Sequence, residues 1–152
     1  MNKFTKQIGV TLLEVMLVLA VAAMIIVMSI RYYQTANSNQ QVNALLQMTQ
    51  GIAAAADSLA QKDGSYSNST VNSTNIKALM PNNSFGTPWG TTATFTSGGS
   101  TSYTVTFPSA PMAVCIQASS RLSANPKFTS ITQINNCSSP SGTFSYEYNS
   151  LN

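Results

Sequence analysis

Gly9-Val10-Thr11-Leu12-Leu13-Glu14 opens an apolar run that continues to Ile30. Val10 to Ile30 is 21 residues with one charge and neither Gly nor Pro. A helix rising about 1.5 Å per residue needs roughly 20 apolar residues to cross about 30 Å of hydrocarbon, so this stretch predicts a membrane-grade helix. Its single carboxylate, Glu14, falls about one turn from the start. An acid near the centre of a spanning helix costs on the order of 2.5–3.5 kcal/mol on insertion scales, less toward an end, and such acids usually have a partner. Cutting the chain after Gly9 supplies one. The new α-amine of Val10, protonated below a pKa of about 7.7–8.0, lies four residues from Glu14. In a bundle of such helices each Glu14 can meet the Val10 amine of a neighbouring copy, and that pairing fixes the axial stagger.

The leader carries Lys3 and Lys6 and no acid. Lys3, Lys6 and the run from Gly9 to Ala20 together resemble the class III signal of type IV pilins and pseudopilins. That family pattern is a basic leader ending in Gly, a hydrophobic or methylated first residue, Thr or Ser, two apolar residues and Glu. The resemblance implies cleavage between Gly9 and Val10 by a prepilin peptidase, N-methylation of Val10 and a subunit-register role for Glu14. It implies an α+β type IV pilin fold: one long N-terminal helix packed on an antiparallel β-sheet, with a C-terminal disulfide. Val10 in place of Phe, the absence of Pro and Gly from Val10 to Gln50, and a Gly/Pro-punctuated turn at Phe85–Gly90 look like a type IVb major pilin precursor. The nine-residue leader is closer to type IVa.

Two other readings compete for the N-terminus. Ala20-Val21-Ala22 has the A-x-A form of a secretory cleavage site. Against it, Glu14 would interrupt the apolar region, and the run extends eight residues past Ala22. A plain single-pass anchor accounts for the length but leaves Glu14 without a partner.

A length of 152 residues suits one domain plus an anchor. The formal charge of +3 includes the two leader lysines, and beyond Gly9 five Lys/Arg face four Asp/Glu. Arg31, Lys62, Lys77, Arg121 and Lys127 show no clustering along the sequence, so specific nucleic-acid binding is not expected. Charged residues are only 7% of the chain, and Ser, Thr and Asn fill 41 of the last 92 positions. Solubility there rests on neutral polar groups, which fits an exported, surface-forming subunit.

The resemblance and the composition divide the chain into a leader (1–9), a membrane or filament-core half of the helix (10–30), an amphipathic half (31–62), a connecting loop (63–90) and a sheet with a disulfide-bounded C-terminal region (91–152). Val42, Leu45, Thr49, Ile52, Ala56 and Leu59 recur at helical spacing and predict one buried stripe. A continuous helix from Val10 to Ala60 spans roughly 75 Å at the standard rise. Gly64 supplies a stop. Tyr32 and Tyr33 suit an aromatic belt beside Arg31, or packing between subunits. Ile76–Met80 predicts one helical turn ended by Pro81, and Trp89 is expected to pin its loop to the domain.

Thr91–Thr96 and Thr101–Phe107 alternate about Ser97-Gly98-Gly99-Ser100 and predict a hairpin. Ala113–Gln117 reads as a central strand, with Lys127–Ile134 and Thr143–Tyr148 as further strands. Cys115 and Cys137 form an even pair in a chain carrying an export signal and read as one disulfide. Two buried thiols are the other reading.

The chain has no histidine, Walker loop, GxGxxG, GxSxG or HExxH. No enzyme activity, metal or cofactor is expected, and the lone Asp63 is a poor basis for a cation site. The resemblance implies a pilin subunit that polymerises into an extracellular filament used in adhesion, aggregation or conjugation-type contact. Implied partners are its own copies, prepilin peptidase, a pilus assembly platform, the bacterial inner membrane before assembly, and a host or cell-surface receptor. The other member of the same family that fits is a pseudopilin or minor pilin of a secretion or DNA-uptake machine.

Overall fold

The computed structural model describes residues 11–67, 69–138 and 140–151. The chain divides into two compact units, Met1–Asn37 and Ser38–Asn152. Helix α1, Leu12–Asp63, contributes to both. No Pro or Gly interrupts it before Gly51. A Cβ on Gly51 would lie 3.2 Å from the Met80 sulfur, a tight contact that the glycine avoids. The helix ends where Gly64 turns left-handed at φ +67° and donates its N–H to the Ala60 carbonyl at 2.7 Å.

In the second unit α1 packs on a four-stranded antiparallel sheet of order β1-β2-β4-β3. The strands are β1 Thr94–Ser97, β2 Ser102–Pro111, β3 Phe128–Thr129 and β4 Ser141–Asn149. Val42, Leu45, Thr49, Ile52 and Ala56 are buried, and Leu59 is half-buried at the edge of the same stripe. The sheet answers with Tyr103, Val105 and Phe107 of β2 and Phe144, Tyr146 and Tyr148 of β4. Register places Tyr103 opposite Tyr148, Val105 opposite Tyr146 and Phe107 opposite Phe144. Cross-strand side-chain pairs are the unit of sheet stabilisation. The Tyr103 and Tyr148 rings stack at 5.0 Å.

Two further helices complete the unit. Helix α2, Ser73–Leu79, begins at Asn72, whose side-chain oxygen accepts from the Thr74 and Asn75 N–H groups. It is longer than the single turn expected at Ile76–Met80. Helix α3, Met112–Leu122, lies where a central strand was expected at Ala113–Gln117. That expectation is corrected. Val114, Cys115, Ala118, Ser119 and Leu122 are buried, a spacing that repeats with a helix and not with a pleat. The short apolar run Ala113–Ile116 has no periodicity of its own, and only its continuation to Leu122 settles the period.

The expected strand Lys127–Ile134 is also corrected. Only Phe128 and Thr129 pair with β4. Ser130 sits at φ +46°, which ends the extended run, and Ile134–Asn136 forms a 3-10 turn. The hairpin β1–β2 and strand β4 lie within a few residues of their expected positions, with β2 running on to Pro111. Cys115 of α3 and Cys137 are disulfide-bonded with Cα atoms 5.8 Å apart. Cys115 is therefore on a helix, not on the strand expected for it.

The loop before β1 is tied to a bulge in β2. Pairing of β2 with β4 shifts register between Phe107 and Ala110, and Ser109 takes φ +54°. The bulge turns the Pro108 carbonyl out of the ladder. Trp89 Nε1 and Thr91 Oγ1 both donate to it at 2.9 Å. Trp89 thus pins its loop to the sheet, with its ring against Phe107 at 6.5 Å.

Candidate functional site

The first unit presents the chain's most unusual surface. From Thr11 to Asn37 every residue except Ala22 is exposed. Leu12 and Leu13 expose 76% and 74% of their surface, and the apolar side chains continue in the same state to Ile30. α1 is long and apolar enough to cross a membrane. An apolar surface of this extent on a soluble particle marks a membrane or protein contact. Its Ser29 and Thr35 hydroxyls are already satisfied by the helix itself. Ser29 Oγ donates to the Ile25 carbonyl at 2.8 Å, and Thr35 Oγ1 to the Arg31 carbonyl at 3.1 Å. Neither needs water, which suits a dry environment.

At the start of α1, Thr11 is the N-cap. Its side-chain oxygen accepts from the Glu14 N–H at 3.3 Å, and its carbonyl accepts from Glu14 and Val15. Glu14 is therefore the third helical residue after a Thr cap, the T-x-x-E spacing of a capping box. A carboxylate in the first turn is also favoured by the helix dipole. These local contributions amount to roughly 0.3–1 kcal/mol and hold for any helix start. They give Glu14 a reason to sit in the first turn that needs no second chain. The T-x-x-E pattern was present in the sequence, where the charge in an apolar run drew the reading instead. Gly9 and Val10, the expected cleavage pair and methylation position, lie outside the described residues.

In the second unit Asp57 gathers a polar cluster that sequence reasoning did not reach. Tyr66 OH donates to Asp57 Oδ1 at 2.5 Å and Tyr148 OH to Oδ2 at 3.2 Å. One carboxylate thereby ties α1 to the segment after it and to β4. Burial, and then Asp57, push the Tyr66 phenol well above its ordinary range. Tyr148 moves the same way for the same causes, with Lys127 opposing. Burial alone dominates at Tyr103 and Tyr146, both also raised.

Among the described residues, Thr49 Oγ1, Tyr103 OH and Tyr146 OH are buried without a hydrogen-bond partner. Thr49 lies near enough to Tyr146 to favour its phenolate slightly, yet the two hydroxyls fall outside bonding geometry. Among the described residues no three His, Cys, Asp or Glu side chains gather as a metal site.

The cations are less scattered than the sequence suggested. Arg121, in the last turn of α3, and Lys127, just before β3, line one groove of about 370 Å³ with Phe128 and Tyr148. Six positions apart in sequence, they are brought together by the end of α3 and the turn into β3. That corrects the expectation of dispersed basic residues for this pair. No family model, curated protein or solved structure matches the chain.

Proposed function

We propose that this chain is the precursor of a type IV pilin, type IVb in character. Prepilin peptidase cuts it after Gly9, and it polymerises through the apolar half of α1 into an extracellular filament. The observation that carries this reading is the exposed apolar helix of the first unit, with one carboxylate in its first turn. Before assembly that surface is covered by the inner membrane. After assembly it is covered by the same surface of other copies.

Moving an apolar helix from lipid into a bundle gains little from the hydrophobic effect, because lipid tails are as apolar as leucine. Packing and specific polar contacts must therefore decide assembly. The pairing of Glu14 with the Val10 amine of a neighbouring copy is such a contact, formed in a dry site where opposite charges attract strongly. It also selects one stagger, since a slip by one helical turn strands both charges. The second unit, with its Ser-, Thr- and Asn-rich surface, forms the outside of the filament and carries its external contacts.

Mass analysis of the N-terminus of shear-released surface protein, with negative-stain microscopy of the same sample, tests the reading. The expected result is filaments whose main polypeptide begins at Val10 and carries an N-methyl group. A polypeptide beginning elsewhere overturns it.

A further inference from the structure

We propose that the groove formed by α1, the end of α3 and the start of β3 binds the carboxylate-bearing sugar of an acidic glycan. The groove of about 370 Å³ is at the lower end of the roughly 300–1,000 Å³ typical of small-molecule sites. It suits a single ring, not a folded partner. Leu122, Phe128 and Tyr148 give it apolar and aromatic lining, Gln50 offers an amide, and Arg121 and Lys127 supply the charge. No acid lines it.

The two cations are held in place. Arg121 Nη1 donates to Asn43 Oδ1 at 2.9 Å, and a guanidinium has four further N–H donors in a planar fork that matches a carboxylate. Lys127 Nζ stands 5.8 Å from the Tyr148 ring centroid, and its backbone N–H donates to Asn125 Oδ1 at 3.1 Å. Each cation has a local role as well. Arg121 complements the C-terminal end of α3, and Lys127 rests on an aromatic face. Those roles explain one cation at a time, not two lining the same concavity beside two aromatic rings.

The chain's own acids are poor candidates to fill the groove. Glu14 belongs to the apolar helix. Asp57 accepts from two tyrosines, and Glu147 accepts from Ser130 Oγ at 3.1 Å. Asp63 remains, at the end of α1, for a second copy to offer. A nucleic-acid backbone calls for an extended basic track, whereas here two charges share one pocket. A sugar acid matches all the lining chemistry: a carboxylate for the Arg121 fork, C–H faces for the aromatic lining, and hydroxyls for the amide.

The test uses the full chain in detergent, so it does not depend on filament assembly. Binding of N-acetylneuraminic acid, of its uncharged methyl ester and of an oligo-glutamate peptide is measured by calorimetry and saturation-transfer NMR. The acid is expected to bind, with the ester and the Arg121→Gln variant each weaker by about tenfold or more. Should Arg121→Gln lower the melting temperature, Lys127→Gln carries the same comparison, since that side chain is exposed. Equal binding of acid and ester, undiminished binding by the double variant, or tighter binding of the peptide overturns the assignment. Loss of filaments in other variants leaves it standing, and its failure leaves the filament reading standing.

Discussion

One helix runs through two units that keep its apolar side chains in opposite states. In Met1–Asn37 the described leucines, valines and isoleucines face outward, and among the described residues no other element belongs to that unit. In Ser38–Asn152 the same helix buries Val42, Leu45 and Ile52 completely against a sheet. Backbone hydrogen bonds are alike in both stretches, so helix formation itself does not distinguish them. What differs is the source of the cover. The second unit carries its own core. The first shows none among its described residues, and its helix is long and apolar enough to cross a membrane.

The widest gap between the units is expected from matched truncations. Leu45→Ala removes a fully buried side chain and should cost about 2–5 kcal/mol of unfolding free energy, read as a lowered denaturant midpoint of the second unit in detergent. A cost below about 0.5 kcal/mol would mean that the stripe is not the core it is taken to be.

The next effect concerns the staple within the second unit. Cys137→Ser, or reduction of the Cys115–Cys137 bond, should lower stability by about 3 kcal/mol in the chain-entropy view of a loop this size. The helix of the first unit should be unaffected. Circular dichroism with and without reductant reads both parts, and an unchanged midpoint would contradict the assignment.

A smaller, reversible effect comes from pH. Tyr66, Tyr103, Tyr146 and Tyr148 all have phenols raised above the ordinary tyrosine range of about 10. Above that pH the unfolded chain loses protons that the folded chain keeps, so the unfolded state binds fewer protons and stability falls as pH rises. Below it both states are protonated and these groups leave the curve flat. Unfolding midpoints measured from neutral to strongly alkaline pH should decline only above about 10. A decline beginning near neutrality would point to other groups.

The smallest effect is the counterpart of the first. Leu17→Ala, at a side chain 61% exposed, should shift the second unit's midpoint by less than about 0.5 kcal/mol. A loss comparable to that of Leu45→Ala would show that the first unit shares the core.

The sequence made α1 legible because nothing in Val10–Gln50 breaks a helix and the stripe from Val42 repeats at 3 and 4. It made β2 and β4 legible because Tyr103, Val105 and Phe107, and Phe144, Tyr146 and Tyr148, alternate. α3 was misread because Ala113–Ile116 is too short to show a period and holds a valine and an isoleucine, residues that favour strands. β3 was overextended because a left-handed serine leaves no mark in composition, and Ser130 is one. The basic groove was invisible for another reason. Arg121 and Lys127 line one concavity only because a helix stops at Leu122 and the chain turns back into Phe128. The cap at Thr11 is legible as T-x-x-E in Thr11–Glu14.

That overlap singles out one substitution. Glu14→Gln retains a residue able to complete a capping box with Thr11 and removes only the negative charge. Filament yield on cells expressing this variant, scored beside its level in the membrane, is the direct measurement. The expected result is a chain that is processed and held in the membrane at the parental level but forms no filaments. Filaments at the parental yield would leave Glu14 as a helix cap and contradict its role in subunit register.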